Sequence, residues 1–376
     1  MRILIAGDFF IDERFQNNKL INKSVKDLFD EVDFRIINLE APITPNNPHH
    51  KITKTGPHLR MSSNTVFPYL HQLKIDALTM ANNHILDYGA KGITDTFSEL
   101  IQQNIRYVGA GNNLTEARKN LSIEKDGLKI AIINFCESEW SIAEEDSPGA
   151  NPMDIIDNTN QIREAKSSHD KVIVIVHGGH EYYNLPSPRM QKQYRFYAEQ
   201  GADIIVGHHT HCISGHEMFK GVPIIYSLGN FLFTLPSTKK EWYTGLLIQL
   251  EIEKSKPISF KLYHVNQDDN NFCVSMSEGN EIDKMLRSIS EFNDIIQENH
   301  KLHECWKTFL EQYSDQYLNS CSPAVAVGNN IVRRVFNKLG ISRMLVTKSF
   351  NKNILNLMRC ESHLDAMRII LRNKLK

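Results

Sequence analysis

Short apolar runs recur along the chain from the N-terminus to about residue 265, with polar or amphipathic stretches between them. Most runs are rich in Ile and Val and do not alternate with polar residues, which is typical of strands buried on both faces. Strands that alternate with helices predict βαβ units and a layered α/β architecture. The predicted strands are Ile3–Ala6, Phe34–Leu39, Asp76–Ala81, Lys129–Phe135, Val172–Val176, Asp203–Val206 and Ile224–Tyr226, and the predicted helices are Ser24–Val32, Asn64–Leu73, Ile93–Gln103 and Met190–Gln200.

Two hairpins add antiparallel strands. Ser122–Lys125 and Leu128–Asn134 flank Asp126-Gly127, a dipeptide that favours a tight hairpin turn. Gly245–Glu253 and Ile258–Val265 alternate between apolar and polar residues on either side of a Lys-Pro turn. The combination predicts an α/β sandwich of mixed sheets flanked by helices.

The chain changes character after about residue 270, where helical patterns replace the strands. Ser322, Pro323 and Gly328 predict a break among these helices. We therefore predict one domain over residues 1–270 and a mostly α-helical, basic C-terminal region over residues 271–376. The helical patterns cover Glu281–Gln297, Glu304–Tyr317 and Asn353–Asn373.

Charge is distributed unevenly, although the formal net charge of the 376 residues is only −1. From Asn330 to Lys376 there are eleven Lys and Arg residues against two Asp and Glu residues. A basic helix with apolar residues at helical spacing either packs on its own domain or makes peripheral contact with an anionic membrane. Nucleic-acid binding is not expected, because aromatic residues for base stacking are scarce there.

The sequence favours a cytoplasmic location, with peripheral contact at the inner membrane face as an alternative. No stretch approaches the roughly eighteen apolar residues that a transmembrane helix needs. The opening residues, MRILIAGD, form a strand that runs into polar residues and do not have the pattern of a signal peptide. Six cysteines are scattered without a CxxC pair, which suits a reducing compartment.

Residues able to bind a metal follow five of the predicted strands. In open α/β sheets, ligands bind just beyond the carboxyl ends of the strands. One such histidine would be unremarkable, but five strands that deliver such residues to one edge predict a metal site. The mixture of carboxylate, imidazole and amide oxygen suits Mn²⁺, Fe²⁺ or Zn²⁺. The residues are Asp8, Glu40, Asn83, His84, His177, His209 and His211.

These residues lie in an ordered series of motifs that resembles the CapA family of poly-γ-glutamate capsule synthesis proteins. The resemblance covers roughly residues 1–265. That family is similar to the calcineurin-like metallophosphoesterases, so the resemblance implies their layered α/β sandwich. The motifs are Ala6–Asp8, Asn38–Thr44 (NLEAPIT), Ala81–His84 (ANNH) with Asp87–Gly89, Val108–Gly111 with Asn113 and Leu114, His177–Tyr182 (HGGHEY), Val206–His211 (VGHHTH) and Tyr226–Phe231 (YSLGNF).

The resemblance also implies a role for each residue. Two divalent metal ions, Mn, Fe or Zn, would be bridged by Glu40, where the wider superfamily usually has Asp. His84 would be the acid that protonates the leaving group or steadies the scissile group. The implied remaining ligands are Asp8 and His211 for one metal, and Asn83, His177 and His209 for the other.

One position departs from the wider superfamily, which has a histidine two residues after its first aspartate. Here that position is Phe10, so one metal would have fewer protein ligands, bind weakly or be absent. CapA-like proteins commonly lack this histidine, and the family resemblance is therefore unaffected. Phe10 does argue against the interpretation of this protein as a fully active two-metal phosphatase.

Two further residues are candidates for substrate binding. Glu181 would orient a metal ligand or bind a cationic group of a substrate, with a solvated loop acid as the alternative. Arg60 can hold a phosphate or carboxylate with two hydrogen bonds, with an ordinary surface arginine as the alternative. His208 precedes two stronger ligand candidates, and Asn230 is interpreted as a turn residue.

Two functions follow from these observations. The first is a metal-dependent hydrolase of CapA type, which acts on a phosphoester or amide of an anionic small-molecule or polymer substrate in capsule, poly-γ-glutamate or exopolysaccharide synthesis. The alternative is a non-catalytic assembly factor that retains the fold while its helical tail docks onto a membrane synthase. Phe10 and the basic tail favour the alternative, whereas the complete set of candidate ligands together with His84 favours the enzyme.

Overall fold

The computed structural model describes residues 1–321, 330–359, 367, 370 and 371. These residues divide into an N-terminal unit, Met1–His303, and a C-terminal unit, Glu304–Lys376. The strands are β1 (Arg2–Phe10), β2 (Phe34–Leu39), β3 (Ala77–Thr79), β4 (Arg106–Val108), β5 (Ala110–Gly111), β6 (Leu121–Lys125), β7 (Leu128–Cys136), β8 (Gly149–Ala150), β9 (Lys171–His177), β10 (Ile204–His208), β11 (His216–Phe219), β12 (Val222–Ile225), β13 (Asn230–Phe233), β14 (Thr244–Glu251), β15 (Ser259–Gln267) and β16 (Val274–Met276).

Four of the α-helices begin directly after a residue whose side chain caps the first turn. In the sixth helix, Ser187 accepts a hydrogen bond from the backbone N–H of Met190, and Pro188 occupies the first turn, where a missing N–H costs nothing. The helices are α1 (Lys23–Asp30), α2 (Ser63–Gln72), α3 (Gly89–Gln102), α4 (Leu114–Ala117), α5 (Ile155–Ser168), α6 (Pro188–Glu199), α7 (Asn280–Gln297), α8 (Asn299–Cys321), α9 (Asn330–Lys338), α10 (Ile341–Leu345) and α11 (Lys348–Arg359), with short 3-10 turns at Glu13–Phe15, Pro48–His50 and Lys240–Tyr243.

Two mixed sheets form the centre of the N-terminal unit. The first has eight strands in the order β16-β15-β14-β1-β2-β3-β4, and β13 also pairs with β1. The second has six strands in the order β11-β12-β10-β9-β7-β6. In both sheets the central strands run parallel, while hairpins such as β6–β7 and β14–β15 add antiparallel strands. The predicted fold class and both predicted hairpins are thereby confirmed.

Alternate residues of the strands face different hydrophobic cores. Ile3 and Ile5 of β1 share a core with Ile173 and Ile175 of β9, so this core lies between the two sheets. Leu4 of β1 belongs to a second core on the other face of its sheet, which includes residues of α1, α2 and α3. A third core joins the outer face of the second sheet to α5 and α6. Four layers result, in the order helices, sheet, sheet, helices.

Two elements of the N-terminal unit illustrate how the structure differs from the sequence predictions. The predicted strand Asp76–Ala81 is shorter and covers Ala77–Thr79. Beyond it, the backbone N–H of Met80 is shared between the Val108 carbonyl of β4 and the Asn134 side chain, and that of Ala81 donates to Asn134. Helix α5 was not among the predicted helices. Its sequence is mostly polar, and the narrow buried stripe around Ile162 and Ala165 gives only a weak apolar pattern.

The described residues of the C-terminal unit lie mainly in helices α8 to α11. The strand β16 and the helix α7 follow residue 270 but belong to the N-terminal unit, and the boundary at 270/271 stays a prediction. The predicted break at Ser322, Pro323 and Gly328 lies outside the described residues, as does most of the predicted helix after Arg359. Among the described residues, no helix is both long and apolar enough to cross a membrane.

Candidate metal centre

The predicted ligands meet where the carboxyl ends of the parallel strands of both sheets converge. Asp8 lies near the end of β1, and Glu40 and Asn83 follow β2 and β3. His177 is the last residue of β9 and pairs with His208, the last residue of β10. His209 and His211 follow directly in the turn after β10. The packing of one sheet on the other therefore brings together residues that are far apart in the sequence, such as Asp8 and His209, which are 201 positions apart.

Glu40 is the centre of this cluster. Its side chain is fully buried, and neither carboxylate oxygen has a hydrogen-bond partner among the described residues. Oε1 lies 3.7 Å from Nε2 of His177 and 3.7 Å from Nε2 of His211. Burial, together with the negative charge of Asp8, raises the pKa of Glu40 well above its usual range. A buried carboxylate without a partner is costly, so this position fits a bound cation.

Two groups of three side chains have the spacing of metal ligands, and they share Glu40. One is Glu40, His177 and His209, and the other is Asp8, Glu40 and His211. In each group the nitrogen and oxygen atoms lie within 4.8 Å of one another. Burial lowers the pKa of His177 well below its usual value, which keeps this imidazole in the neutral form that binds metals. The donor set therefore fits divalent ions on both sides of one carboxylate.

Asn83 and two histidines converge beside Glu40. The Asn83 amide oxygen lies 3.1 Å from Nε2 of His177, and Nδ1 of His209 lies 3.1 Å from the same nitrogen. Three donor atoms, from the loop after β3, the end of β9 and the turn after β10, thus lie close together. Asn83 belongs to neither three-residue group of acids and histidines, but its oxygen is placed to complete the group that contains His177.

Asp8 is held in its ionised form by its surroundings. Asn38 Nδ2 donates to Oδ1 at 2.7 Å, and the backbone N–H of His209 donates to Oδ2 at 3.2 Å. Burial opposes ionisation, but the neighbouring imidazoles, above all those of His208 and His177, hold the pKa of Asp8 below its ordinary value. The pairing of β1 with β2 and with β13 shifts register at Asp8. Such bulges commonly re-aim a side chain toward a site.

The turn after β10 directs two histidines into the cluster. His209 and His211 have φ values of 90° and 54°, a region that residues other than glycine rarely adopt. Between them, Thr210 Oγ1 hydrogen-bonds with Ser227 Oγ at 2.8 Å and holds the turn. Backbone strain of this kind, of order 1–3 kcal/mol per residue, persists where the surrounding structure over-determines it and is frequent at functional sites.

His84 is oriented by a buried ion pair. Its Nδ1 lies 2.7 Å from Oδ2 of Asp87, and Lys54 Nζ forms a salt bridge with the other oxygen of the same carboxylate. The Lys54 and Asp87 side chains are 2% and 0% exposed. The Asp87 carboxylate also accepts from the backbone N–H of Leu59 at 2.7 Å. When Nδ1 donates to Asp87, Nε2 is left for a substrate group.

The positioning residues around His84 were not among the sequence-predicted site residues. Asp87 lies in the third CapA-like motif, so its place in that series was an available signal. Lys54 lies in an irregular loop thirty positions earlier and carries no pattern that would have identified it.

Aromatic rings line the side of the cluster near His211. The His211 ring lies 4.6 Å from Trp242 and 5.2 Å from Phe233, measured between centroids. Phe10 is buried and packs on Phe233 at 5.2 Å. Phe10, two residues after Asp8, therefore contributes an apolar ring and no ligand atom.

The weaker candidates lie around the cluster or away from it. Glu181 is exposed, and its charge contributes to the raised pKa of Glu40. Arg60 donates to both carboxylate oxygens of Glu13, at 2.9 and 2.6 Å, so its guanidinium is engaged in an ion pair. His208 is buried with Nδ1 3.3 Å from Asp8 Oδ1, but this contact lacks hydrogen-bond geometry.

Asn230 proves to be a positioning residue for His211. Its side-chain oxygen lies 2.8 Å from Nδ1 of His211, and its Nδ2 donates to the carbonyl of Trp242 at 3.0 Å. A hydrogen bond to one ring nitrogen fixes the tautomer and orientation of the ring. This leaves Nε2 of His211 facing Glu40.

The sequence matches the family described as bacterial capsule synthesis protein PGA_cap over residues 2–235. It is 36% identical over 234 residues to the PGA biosynthesis protein CapA of Bacillus subtilis, a match that covers 61% of this chain and 60% of that protein. It is 30% identical over 211 residues to a probable polyglutamine synthesis accessory protein of Mycobacterium tuberculosis, covering 53% of this chain and 55% of that protein. The matches thus span less than two thirds of these relatives.

A solved structure described as a novel phosphatase from Mycoplasma pneumoniae covers 72% of this chain and 95% of its own, with 16% identity and a TM-score of 0.47. That likeness is too weak to support a statement about activity. The family match covers more than half of the chain and contains every residue of the two ligand groups. This chain belongs to the bacterial capsule synthesis protein PGA_cap family.

Proposed function

We propose that this protein is a metal-dependent hydrolase of CapA type, acting on a phosphoester or amide bond of an anionic small molecule or polymer in capsule, poly-γ-glutamate or exopolysaccharide synthesis. The observation that carries the proposal is the Glu40 carboxylate, which is fully buried, without a hydrogen-bond partner among the described residues, and shared by two groups of ligand-type side chains. A structural carboxylate at such a place would be paired with a donor or a cationic side chain.

The residues divide into two ligand sets and an acid. Two divalent ions of Mn, Fe or Zn, when bound, would supply a water nucleophile and neutralise charge on the attacking and leaving oxygens. His84 would donate a proton from Nε2 to the leaving group, and its contact with the Asp87 carboxylate at Nδ1 supports this role because it would orient the ring. The proposed ligands are Asp8, Glu40 and His211 for one ion, and Glu40, Asn83, His177 and His209 for the other.

The decisive measurement is the metal content of protein purified without added metal, by mass spectrometry. We expect bound Mn, Fe or Zn in the unaltered protein and a severalfold lower content in Glu40→Gln and His209→Ala. His264→Ala is the matched control, because His264 is another buried histidine of the N-terminal unit that lies outside both ligand groups. A protein that stays metal-free even after reconstitution would contradict the proposal.

Activity measurements then distinguish a hydrolase from a scaffold protein that binds metal without catalysis. Screens of phosphoesters and γ-glutamyl amides should show metal-dependent hydrolysis that is lost in His84→Gln while the metal content is retained. Loss of metal in His84→Gln would show that this residue acts on the ligands and not on the leaving group.

A second candidate function is a non-catalytic assembly factor of a capsule polymer synthase. Two observations favour it: Phe10 offers no ligand atom beside Asp8, and a relative is described as an accessory protein. A metal-loaded protein without turnover in any screen, whose His84→Gln variant still supports polymer synthesis in cells, would support this function.

A further inference from the structure

Three described helices of the C-terminal unit, α9, α10 and α11, lie in a segment whose charged residues are all basic. Residues 330–359, which contain α9, α10 and α11, include seven Lys and Arg residues and no Asp or Glu. Such a density of positive charge attracts a polyanionic surface, since each Lys or Arg held near an anionic membrane strengthens binding about fivefold. Electrostatics therefore limits the partner of this segment to something negatively charged.

The same helices expose large aliphatic side chains. Leu339 at the end of α9 and Met344 of α10 are 67% and 78% exposed, and Leu355 and Met358 of α11 are 58% and 61% exposed. Single exposed apolar residues are normal on a protein surface. Here they recur on three successive basic helices, which is the composition of a helix that lies in a membrane interface.

The arrangement along α9 separates the two kinds of residue. Ile331, Val335 and Leu339 follow each other at intervals of four, so they form one stripe along the helix, and each is exposed. Arg334 and Lys338 are also four apart and are exposed along the border of this stripe. A helix of this kind places its apolar stripe among acyl chains and its basic side chains among phosphate groups.

We propose that α9, α10 and α11 form a binding surface for an anionic lipid membrane. Nucleic acid, the other common polyanion, is disfavoured because residues 330–359 offer only Phe336 and Phe350 as aromatic rings for base stacking. An anionic soluble partner would use the charges but would leave the aliphatic stripe in water. The proposal stands on the C-terminal unit alone and does not depend on the hydrolase.

The test is co-sedimentation of the full-length chain with vesicles of phosphatidylcholine that contain about a third phosphatidylglycerol. We expect binding that weakens as salt is raised and that is slight with pure phosphatidylcholine. Val335→Glu combined with Leu339→Glu should weaken binding at least about tenfold, because two carboxylates replace apolar side chains in the stripe. Arg334→Gln combined with Lys338→Gln should weaken binding and reduce its salt dependence.

The matched control is Ile101→Glu combined with Ile156→Glu. These two side chains of the N-terminal unit are 70% and 69% exposed, and the change in net charge is the same. The control should bind as the unaltered chain does. The proposal is overturned if the unaltered chain stays in the supernatant with anionic vesicles, if the stripe variant with unchanged circular dichroism binds normally, or if the control loses binding equally.

Discussion

Single residues in the candidate centre are stabilised by partners from distant parts of the chain. Lys54 and Asp87 form a salt bridge with almost no exposure to water, and His84 lies against both, its Nδ1 3.2 Å from Lys54 Nζ. A buried ion pair gains little over apolar packing, but removal of one partner leaves an uncompensated charge. The pair therefore matters more for orientation of His84 than for the net stability of the fold.

At the residue scale we predict that Lys54→Met lowers the free energy of unfolding by about 3 kcal/mol, because the Asp87 carboxylate loses its buried cation. Urea denaturation in the presence of a chelator measures this loss. Metal content should be unchanged, since Lys54 is in neither ligand group.

Lys19→Met is the control for this prediction, because Lys19 is exposed and its replacement should change stability by less than about 0.5 kcal/mol. Equal stability of the two variants would show that Asp87 does not rely on Lys54.

At the scale of elements, the position of Asp8 depends on close packing between β1 and the turn that precedes β13. The backbone N–H of Asp8 donates to the carbonyl of Gly229 at 3.2 Å. A Cβ atom on Gly7 would lie 2.0 Å from that same carbonyl oxygen. Only glycine allows the two backbones to approach in this way, and the approach places Asp8 opposite Asn230 in the paired strands.

We therefore predict that Gly7→Ala destabilises the protein by more than about 3 kcal/mol and lowers its metal content. The turn before β13 must move away from β1, and this movement displaces Asp8 relative to the other proposed ligands. Thermal unfolding and metal analysis together measure the two effects.

The comparison is Gly127→Ala in the β6–β7 hairpin, where a Cβ would meet nothing within 4 Å and only a φ of +75° is unfavourable. It should cost about 1 kcal/mol and leave metal binding intact. A Gly7→Ala protein as stable as this one would show that the strand and the turn separate easily.

At the scale of the whole molecule, the N-terminal unit contains its own cores and both ligand groups. Helix α7 completes that unit: Met285 and Ile289 belong to the core between the sheets, and Ile296 belongs to the outer core. The carbonyl of Ile296 also accepts a hydrogen bond from the buried side chain of Gln191 at 2.6 Å.

We predict that a fragment of residues 1–303 matches the full chain in melting temperature and metal content. A fragment of residues 1–270 should be less stable by several kcal/mol, since each large aliphatic side chain that loses its burial partner costs about 1.5–3 kcal/mol. Equal stability of the two fragments would place the domain boundary at residue 270, where the sequence alone predicts it.

Local sequence patterns predicted the central elements of the N-terminal unit and the sheet edge at which the candidate ligands lie. Local apolar patterns identified the central strands, because a strand buried on both faces needs a short continuous run of Ile and Val. The position of Asp8, Glu40 and His177 at strand ends then predicted a shared edge, since parallel strands end on one side of a sheet. The mostly polar helix α5 was not predicted, because few of its residues are apolar and their spacing gives only a weak helical pattern.

Which side chains share a partner could be seen only in the folded protein. It placed Glu40 between two groups of ligands, joined Lys54 to His84 through Asp87, and engaged Arg60 with Glu13. These contacts depend on how the two sheets pack and where irregular loops cross the strand ends. Sheet packing and the paths of irregular loops leave no periodic pattern in the sequence. The residues that meet are tens to hundreds of positions apart, and the packing of the whole unit determines which of them come into contact.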